Sequence, residues 1–203
     1  MMYDKNKIIL TDCDGVCLDW EFGFHTWMGT KGFVADTTGC YSVAKQYGLH
    51  QEDAKVLVEQ FNSSASMGFL PPLRDAQYYM KLIAEELGYR FVAVTSLSED
   101  ESAQKLRTCN LNKLFGTGTF VEFHYLACGA DKDEILMELA NKYDGSIWVE
   151  DKYKNAECGR DIGFDSLLME HGHSLDYKGK DITVVKNWKQ VYEYVQKLSL
   201  IHI

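Results

Sequence analysis

The sequence predicts an α/β fold with a mostly parallel sheet, because short apolar strands alternate with amphipathic helices along the chain. A length of 203 residues allows one domain with, at most, a small accessory lobe. Hydrophobic residues make up 46% and charged residues 25% of the chain, which is the composition of a globular protein. A disordered or coiled-coil architecture is therefore excluded.

Five apolar runs are predicted as strands, and polar residues follow the first three. The predicted strands cover residues 7–11, 90–94, 145–149, 166–169 and 182–185. Asp12, Thr95 and the pair Glu150-Asp151 come directly after the first three of them. The carboxyl ends of parallel strands meet at one edge of a sheet, where ligands bind. We therefore expect these polar side chains to lie close together.

Helical patterns connect the predicted strands. The predicted helices cover residues 74–87, ended by Gly88; 98 to about 109, opened by Ser-Glu-Asp-Glu; 131 to about 143, opened by Asp-Lys-Asp-Glu; 153–162, ended by Gly163; and 187 to about 198. The backbone N–H groups near residues 96–98 are expected at the start of the second of these helices, where a phosphate oxygen can bind.

The stretch between the first two predicted strands is much longer than a parallel crossover requires. It contains helical patterns at residues 41–47 and 51–61, many aromatic residues, and Pro71-Pro72 near its end. We interpret residues 19–72 as a helical cap inserted after the first strand, and residues 1–18 and 73–203 as the core. Trp20, Phe22, Phe24, Trp27 and Phe33 are expected mainly to build the interior of this lobe, with a nucleobase-stacking wall as the alternative.

Charge and cysteine usage limit the partners. Lys+Arg number 21 against Asp+Glu 30, so the net charge of -9 argues against a nucleic-acid polymer as partner. The six cysteines form no C-x-x-C pair, which argues against zinc, and they are expected to be reduced. The polar segment 1–7 resembles neither a signal peptide nor a membrane span, so a cytoplasmic protein without membrane contact is expected. The oligomeric state is not predicted.

Asp12 and Asp14 suggest phosphoryl chemistry, since one carboxylate can attack phosphorus while the other moves a proton. A calcium loop does not fit, because Val16 occupies the position of the third oxygen ligand. A plain acidic loop remains possible from these residues alone.

Three further positions favour an anion and a cation at the same edge. The hydroxyl of Thr95 and the backbone N–H groups near Ser96 suit a phosphate oxygen, although a Ser-rich capped turn is a very common alternative. Lys132 opens a helix, where the helix dipole disfavours a cation unless an anion lies nearby. Glu150 and Asp151 add charge beside the first acid pair, and such crowding calls for a cation. Oxygen-only ligands indicate Mg²⁺.

In this order of motifs the chain resembles the haloacid dehalogenase-like hydrolase superfamily. The resemblance rests on the segment 8–18 (IILTDCDGVCL), Thr95, Lys132 and Glu150-Asp151, and it is strongest towards small capped phosphatases of the deoxyribonucleotidase type. It implies a three-layer Rossmann-like core with a helical cap. The implied activity is that of a Mg²⁺-dependent phosphomonoesterase acting on a small phosphorylated substrate such as a (deoxy)nucleoside monophosphate.

The resemblance also implies roles for these residues. Asp12 is the expected nucleophile and Asp14 the expected acid and base. Thr95, Ser96 and Lys132 would bind the phosphoryl group. The implied Mg²⁺ ligands are Asp12, Asp14, Asp151 and Glu150. Whether Glu150 or Asn155 supports the metal is left open by the resemblance.

Some alternatives stay open at the level of sequence. Lys113 is a second candidate for the lysine, although Lys132 is better spaced from the last acidic strand. A phospho-acceptor signalling module would use similar residues, and Asn155 leaves room for a non-catalytic phosphate-binding protein. His171 and His173 form an H-x-H pair without an evident third ligand and are expected to be ordinary loop histidines.

Overall fold

The computed structural model describes residues 4–37, 40–175, 177–179 and 181–201. The predicted core begins at Met1 and ends at Ile203, and both residues lie outside these ranges. The strands are β1 (Ile8–Thr11), β2 (Arg90–Ser96), β3 (Phe120–Leu126), β4 (Ile147–Glu150), β5 (Asp165–Met169) and β6 (Thr183–Val185). The helices are α1 (Trp20–Thr30), α2 (Val43–Gln46), α3 (Gln51–Asn62), α4 (Ala76–Glu85), α5 (Glu101–Phe115), α6 (Asp133–Ala140), α7 (Tyr153–Ile162) and α8 (Trp188–Ile201), with a 3₁₀-helix at Ala65–Gly68.

The six strands form one parallel sheet in the order β3-β2-β1-β4-β5-β6. The predicted α/β class is therefore confirmed. The strand β1 lies in the interior of the sheet, between β2 and β4. The strand order reverses at this point, and in such sheets a crevice opens at the carboxyl ends of the strands. Asp12 directly after β1, Ser96 at the end of β2, and Glu150 and Asp151 at the end of β4 all lie at that crevice.

Alternating side chains of the central strands pack into two separate apolar layers. Ile8 and Leu10 pack with Leu136 and Leu139 of α6 on one face. Ile9 points to the opposite face, where it joins a larger cluster that includes residues of α4, α5 and α8. The period-two alternation of a strand produces this separation. The result is a three-layer architecture in which the sheet is covered on both faces.

One strand was not predicted. The strand β3 lies at an edge of the sheet, and most of its residues are only half-buried. Its sequence, FVEFHYL, therefore lacks the continuous apolar run expected of a buried parallel strand. The five strands that were predicted are all confirmed, with ends shifted by one or two residues.

Two predicted helix starts are wrong in detail. The helix α5 begins at Glu101 rather than at residue 98, because Asp100 caps it by accepting the N–H of Ser102 at 2.7 Å. The expected helix start at residues 96–98 is thereby displaced, and α5 runs on to Phe115. The helix α6 begins at Asp133 without a side-chain cap and ends at Ala140, short of residue 143. Among the described residues, no helix combines the length and apolar character needed to cross a membrane.

The stretch between β1 and α4 is helical and returns to its starting point. The N–H of Asp19 donates to the carbonyl of Pro71 at 2.9 Å, so the two ends of the stretch lie side by side. The predicted helix at 51–61 is confirmed as α3, the one at 41–47 shortens to α2, and α1 was not predicted. The apolar interior of this stretch is continuous with the larger cluster beneath the sheet.

Candidate active site

The two aspartates of the first motif leave β1 in a tight loop. The N–H of Asp12 donates to the carbonyl of Val149 at 2.9 Å, which continues the register between β1 and β4. The carbonyl of Cys13 then accepts the N–H of Cys17 at 2.9 Å and closes the turn. This loop directs Asp12 and Asp14 into the wall of one cavity of about 460 Å³.

Lys132 lies between two carboxylates at the inner end of the cavity. Its side chain is only 2% exposed, and its Nζ lies 2.8 Å from Oδ2 of Asp12 and 2.7 Å from Oε2 of Glu150. Burial opposes the charged lysine, but the two carboxylates outweigh this effect and raise its pKa. Lys132 is therefore a permanently charged cation at the point where the sequence indicated a nearby anion.

Three acidic side chains meet at this end of the cavity. Asp12, Glu150 and Asp151 are all buried, and their carboxylate oxygens lie within 4.8 Å of one another. An oxygen-only cluster with this much negative charge matches the ligand preference of Mg²⁺. The donor set is compatible with the expected metal.

The oxygens of Glu150 are already occupied. Its Oε2 accepts from Lys132 and from Nδ2 of Asn155, the latter at 3.2 Å. Its Oε1 accepts the backbone N–H groups of Asp151 and Lys152, each at 3.1 Å. Four donors on one carboxylate hold it rigidly and leave Asp12 and Asp151 with the freer oxygens. Asn155 thus serves as a donor to Glu150.

The environment favours proton uptake by both aspartates of the loop. Burial raises the pKa of Asp12, and the charge of Lys132 opposes this rise. Burial also raises the pKa of Asp14, with the guanidinium of Arg107 opposing it. For Asp14, the expected acid and base, a carboxylate that is easier to protonate than in water suits proton exchange with a substrate.

Gly15 allows the loop to approach the acidic cluster. Its φ of +76° is a left-handed conformation, and a Cβ at this position would lie 2.5 Å from Oδ2 of Asp151. Only glycine meets both requirements without displacing the carboxylate.

We expect Gly15→Ala to lower the phosphate-ester hydrolysis expected from the sequence by about 10²-fold, because Asp151 must move away from the new methyl group. The left-handed backbone should also cost about 1–2 kcal/mol of stability. Gly145→Ala is the matched control, since Gly145 has a φ of +66° with no atom within 4 Å of the added Cβ. Equal activity losses in the two variants, measured as initial rates, would show that backbone strain alone is responsible.

The two hydroxyl groups at the end of β2 occupy different positions. Thr95 is fully buried, and within the described part of the chain its Oγ1 has no hydrogen-bond partner. Ser96 lines the cavity, but its hydroxyl donates to the carbonyl of Ala130 at 3.0 Å. The N–H of Leu97 is also used, since it donates to Leu126 at 2.9 Å. The helix start expected near residues 96–98 is wrong, because α5 begins at Glu101, and phosphate binding by this segment stays a prediction.

The H-x-H pair lies in a loop, as expected, but that loop contacts the site. The imidazole of His171 bonds to the carbonyl of Gly15. The Nε2 of His173 lies 3.2 Å from Oδ2 of Asp151 and 3.1 Å from its backbone oxygen. Burial lowers the pKa of His171, whereas for His173 the carboxylate of Asp151 outweighs burial and raises the pKa. The spacing of these residues along the sequence does not indicate that this loop contacts the acidic cluster.

Arg107 is a site residue that sequence reasoning missed. It lies on α5, is fully buried, and its Nη1 is 2.6 Å from Oδ1 of Asp14. The sequence offered one signal for this role, which was an arginine at a buried position of α5. The polar and apolar residues around it are mixed, so the signal was weak. The competing lysine candidate, Lys113, lies near the ring of Phe69 and does not line the cavity.

The stretch between β1 and α4 supplies the opposite wall of the cavity. Trp20, Tyr41, Lys55 and Asn62 line it, and the indole N–H of Trp20 donates to Oδ1 of Asn62 at 2.9 Å. The other predicted aromatics do not line the cavity: Phe24 is fully buried in the interior, Trp27 and Phe33 pack against the same cluster, and Phe22 is exposed. The expectation that most of them build the interior of the lobe fits this placement.

The fold is similar to that of solved haloacid dehalogenase-like hydrolases. A hydrolase of this kind from Streptococcus pneumoniae superimposes with a TM-score of 0.64 at 14% identity, over 94% of this chain and 98% of that one. D,D-heptose 1.7-bisphosphate phosphatase from B. bronchiseptica, solved with magnesium and phosphate, gives a TM-score of 0.60 at 12% identity over 95% and 99% of the two chains. At these identities the likeness establishes the fold.

One sequence relative is a phage protein. The chain is 30% identical over 161 residues to an uncharacterized 32.4 kDa protein from the Gp30-rIII intergenic region of Enterobacteria phage T4. The match covers 76% of this chain and 57% of the phage protein, so the chain spans little more than half the length of that relative. No family model matches the chain.

Proposed function

We propose that this protein is a Mg²⁺-dependent phosphomonoesterase that forms an aspartyl phosphate at Asp12. The main support is the geometry at the inner end of the cavity, where the carboxylate of Asp12 lies 2.8 Å from the buried ammonium group of Lys132. Asp14 lines the same cavity two residues later. A nucleophile, a proton-transfer group and a fixed cation are thus gathered at one point.

The reaction would proceed in two displacements. A carboxylate oxygen of Asp12 forms a bond to phosphorus while the bond to the ester oxygen breaks, and Asp14 gives that oxygen a proton. Asp14 then takes a proton from water as the water oxygen attacks phosphorus, which releases phosphate and restores Asp12. Lys132 stabilises the negative charge of the phosphoryl oxygens in both steps. We assign the unpartnered hydroxyl of Thr95 to one of these oxygens.

We assign the metal to the carboxylates of Asp12 and Asp151 and the backbone carbonyl of Asp14. A bound Mg²⁺ would supply positive charge that offsets the charge of the phosphoryl group. Glu150, whose oxygens already accept from four donors, is instead assigned to holding Lys132 in place.

For the substrate we propose a small phosphorylated metabolite such as a (deoxy)nucleoside monophosphate, with residues 19–72 acting as the cap. A cavity of about 460 Å³ has the size of a small-molecule site. Trp20 and Tyr41 bring aromatic surface to its cap side, and Lys55 and Asn62 add polar groups. A base or sugar leaving group would find both kinds of contact there. The protein carries a net negative charge, so binding a small anion requires positive side chains such as Lys55 and Lys132 at the cavity.

The test is phosphate release from a panel of monoesters, namely para-nitrophenyl phosphate, ribo- and deoxyribonucleoside monophosphates and sugar phosphates. We expect turnover with Mg²⁺, loss of turnover after chelation, and recovery when Mg²⁺ is restored. Nucleotides should be preferred over sugar phosphates in kcat/KM. Absence of hydrolysis across the panel would contradict the function, and a lasting phosphoprotein without turnover would indicate a phospho-acceptor module instead. Equal use of nucleotides and sugar phosphates would remove only the substrate assignment.

A further inference from the structure

The second aspartate of the loop is held by a buried arginine from a distant helix. Arg107 has no exposed side-chain surface, whereas the side chain of Asp14 is 20% exposed towards the cavity. The Nη1 of Arg107 lies 2.6 Å from Oδ1 of Asp14, and its Nη2 lies 3.4 Å from Oδ2. A guanidinium that faces both oxygens of a carboxylate restricts its position and its rotation.

The arginine is itself held in place. The helix α5 packs closely against the 3₁₀-helix at Ala65–Gly68, where a Cβ on Gly68 would lie 3.2 Å from a methyl carbon of Leu106. The Nη2 of Arg107 also lies 3.1 Å from the sulfur of Met67 in that 3₁₀-helix. Arg107 therefore reaches Asp14 from a tightly packed junction, and its guanidinium has little room to move.

Stability alone does not account for this arginine. Burying a guanidinium costs solvation free energy, and an apolar residue at such a position is often as stabilising as the ion pair. Within the described part of the chain, Nε of Arg107 has no hydrogen-bond partner, so part of that cost is not recovered. Among the described residues, the one carboxylate that the guanidinium meets is Asp14, on the wall of the cavity.

We propose that Arg107 is a positioning residue that holds the carboxylate of Asp14 in the orientation needed for proton transfer to the leaving oxygen. This inference rests on the proposed phosphatase function. Arg107 touches no substrate; it acts through Asp14. When the guanidinium is removed, Asp14 keeps its carboxyl group but loses its fixed direction, and the leaving oxygen departs without timely protonation.

The dependence of kcat/KM on the leaving group tests the proposal. For a two-step mechanism, kcat/KM reports the steps up to departure of the leaving group and excludes hydrolysis of the phosphoprotein. An alkyl phosphate needs protonation of its leaving oxygen, whereas para-nitrophenyl phosphate needs little. Arg107→Met should therefore lower kcat/KM by about 10²-fold or more for an alkyl phosphate, within the range of general acid catalysis. For para-nitrophenyl phosphate the loss should be about tenfold or less.

Asp14→Asn should show the same selective loss, and the double variant Arg107→Met/Asp14→Asn should be no worse than Asp14→Asn alone. That lack of additivity is expected when one residue acts only through the other. Arg107→Lys, which keeps the charge and loses the planar fork, should recover part of the alkyl phosphate activity. Arg160→Met is the matched control, because Arg160 pairs with Asp161 on α7 and does not line the cavity.

The outcomes separate the inference from the function beneath it. Equal losses for the two substrates, or additive losses in the double variant, would overturn the positioning role, and so would a wild-type profile in Arg107→Met. Each of these results leaves phosphatase activity itself in place. If the wild type hydrolyses no monoester, the proposed function fails first. Should Arg107→Met fail to fold, Arg107→Lys and the charge-neutral double variant still report on the same question.

Discussion

Replacing Asp12 with asparagine is expected to lower the turnover of a phosphate monoester by at least about 10⁴-fold, because the amide cannot act as the nucleophile. The substitution preserves shape, and the amide oxygen can still accept the N–H of Cys13, which donates to Oδ1 of Asp12 at 2.6 Å. Lys132 retains Glu150 as a partner. The fold should therefore survive, and the loss should reflect chemistry. Steady-state phosphate release measures it.

Asp144→Asn is the control for this substitution, since Asp144 is exposed in the turn between α6 and β4. It should retain wild-type turnover. A folded Asp12→Asn protein with activity within about tenfold of the wild type would contradict the role of Asp12 as nucleophile. A similar loss in both variants would point to a general effect of removing negative charge.

Replacing Lys132 with methionine is expected to cost both activity and stability. The change removes the cation between Asp12 and Glu150 and leaves buried carboxylates without their partner. Breaking a buried ion pair on one side typically costs about 3–5 kcal/mol in free energy of unfolding. Turnover should fall by roughly 10²–10³-fold, since a fixed charge near the phosphoryl oxygens is lost.

The stability deficit of Lys132→Met should depend on pH. Burial already raises the pKa of Asp12 and of Glu150 above ordinary values of 3.8 and 4.5, and loss of the lysine charge raises both further. The folded variant then binds more protons than the unfolded chain, so its stability rises as pH falls. The deficit should be full above the pKa values of the folded variant and should narrow as pH falls through them towards the lower pKa values of the folded wild type.

Urea unfolding of wild type and variant at several pH values measures this deficit. Lys154→Met is the matched control, because Lys154 forms an exposed pair with Asp131 at 2.9 Å and exposed pairs contribute little. A deficit for Lys132→Met that is constant across the pH range, or one that grows at low pH, would contradict an uncompensated acidic cluster as its cause.

The part of the site that follows strand ends could be predicted from sequence. Asp12, Glu150 and Asp151 follow short buried strands, and parallel pairing brings the ends of neighbouring strands together whatever their separation along the chain. The lysine at the start of α6 was predictable for a similar reason, as a cation in a place that the helix dipole disfavours. Both inferences depend on local patterns and one general property of parallel sheets.

The contacts that were missed depend on tertiary packing. Asp14 and Arg107 are separated by 93 positions, and nothing in the local pattern of α5 marks the direction in which an arginine points. The loop that carries His173 reaches Asp151 only because β5 lies beside β4. The edge strand β3 was not predicted because its half-buried residues mix polar and apolar types. These contacts can be recognised only once the arrangement of the strands and helices is known.

The proposed mechanism requires a phosphoryl group carried by Asp12, and trapping that group tests it most directly. The Asp14→Asn variant should transfer the phosphoryl group from para-nitrophenyl phosphate in the presence of Mg²⁺ and then hydrolyse it slowly, so acid quenching followed by peptide mass spectrometry should find it on Asp12. The Asp12→Asn variant should carry none. A phosphoryl group on a different residue, or turnover of the wild type with no phosphoryl group trapped on Asp12 in either the wild type or Asp14→Asn, would contradict the mechanism.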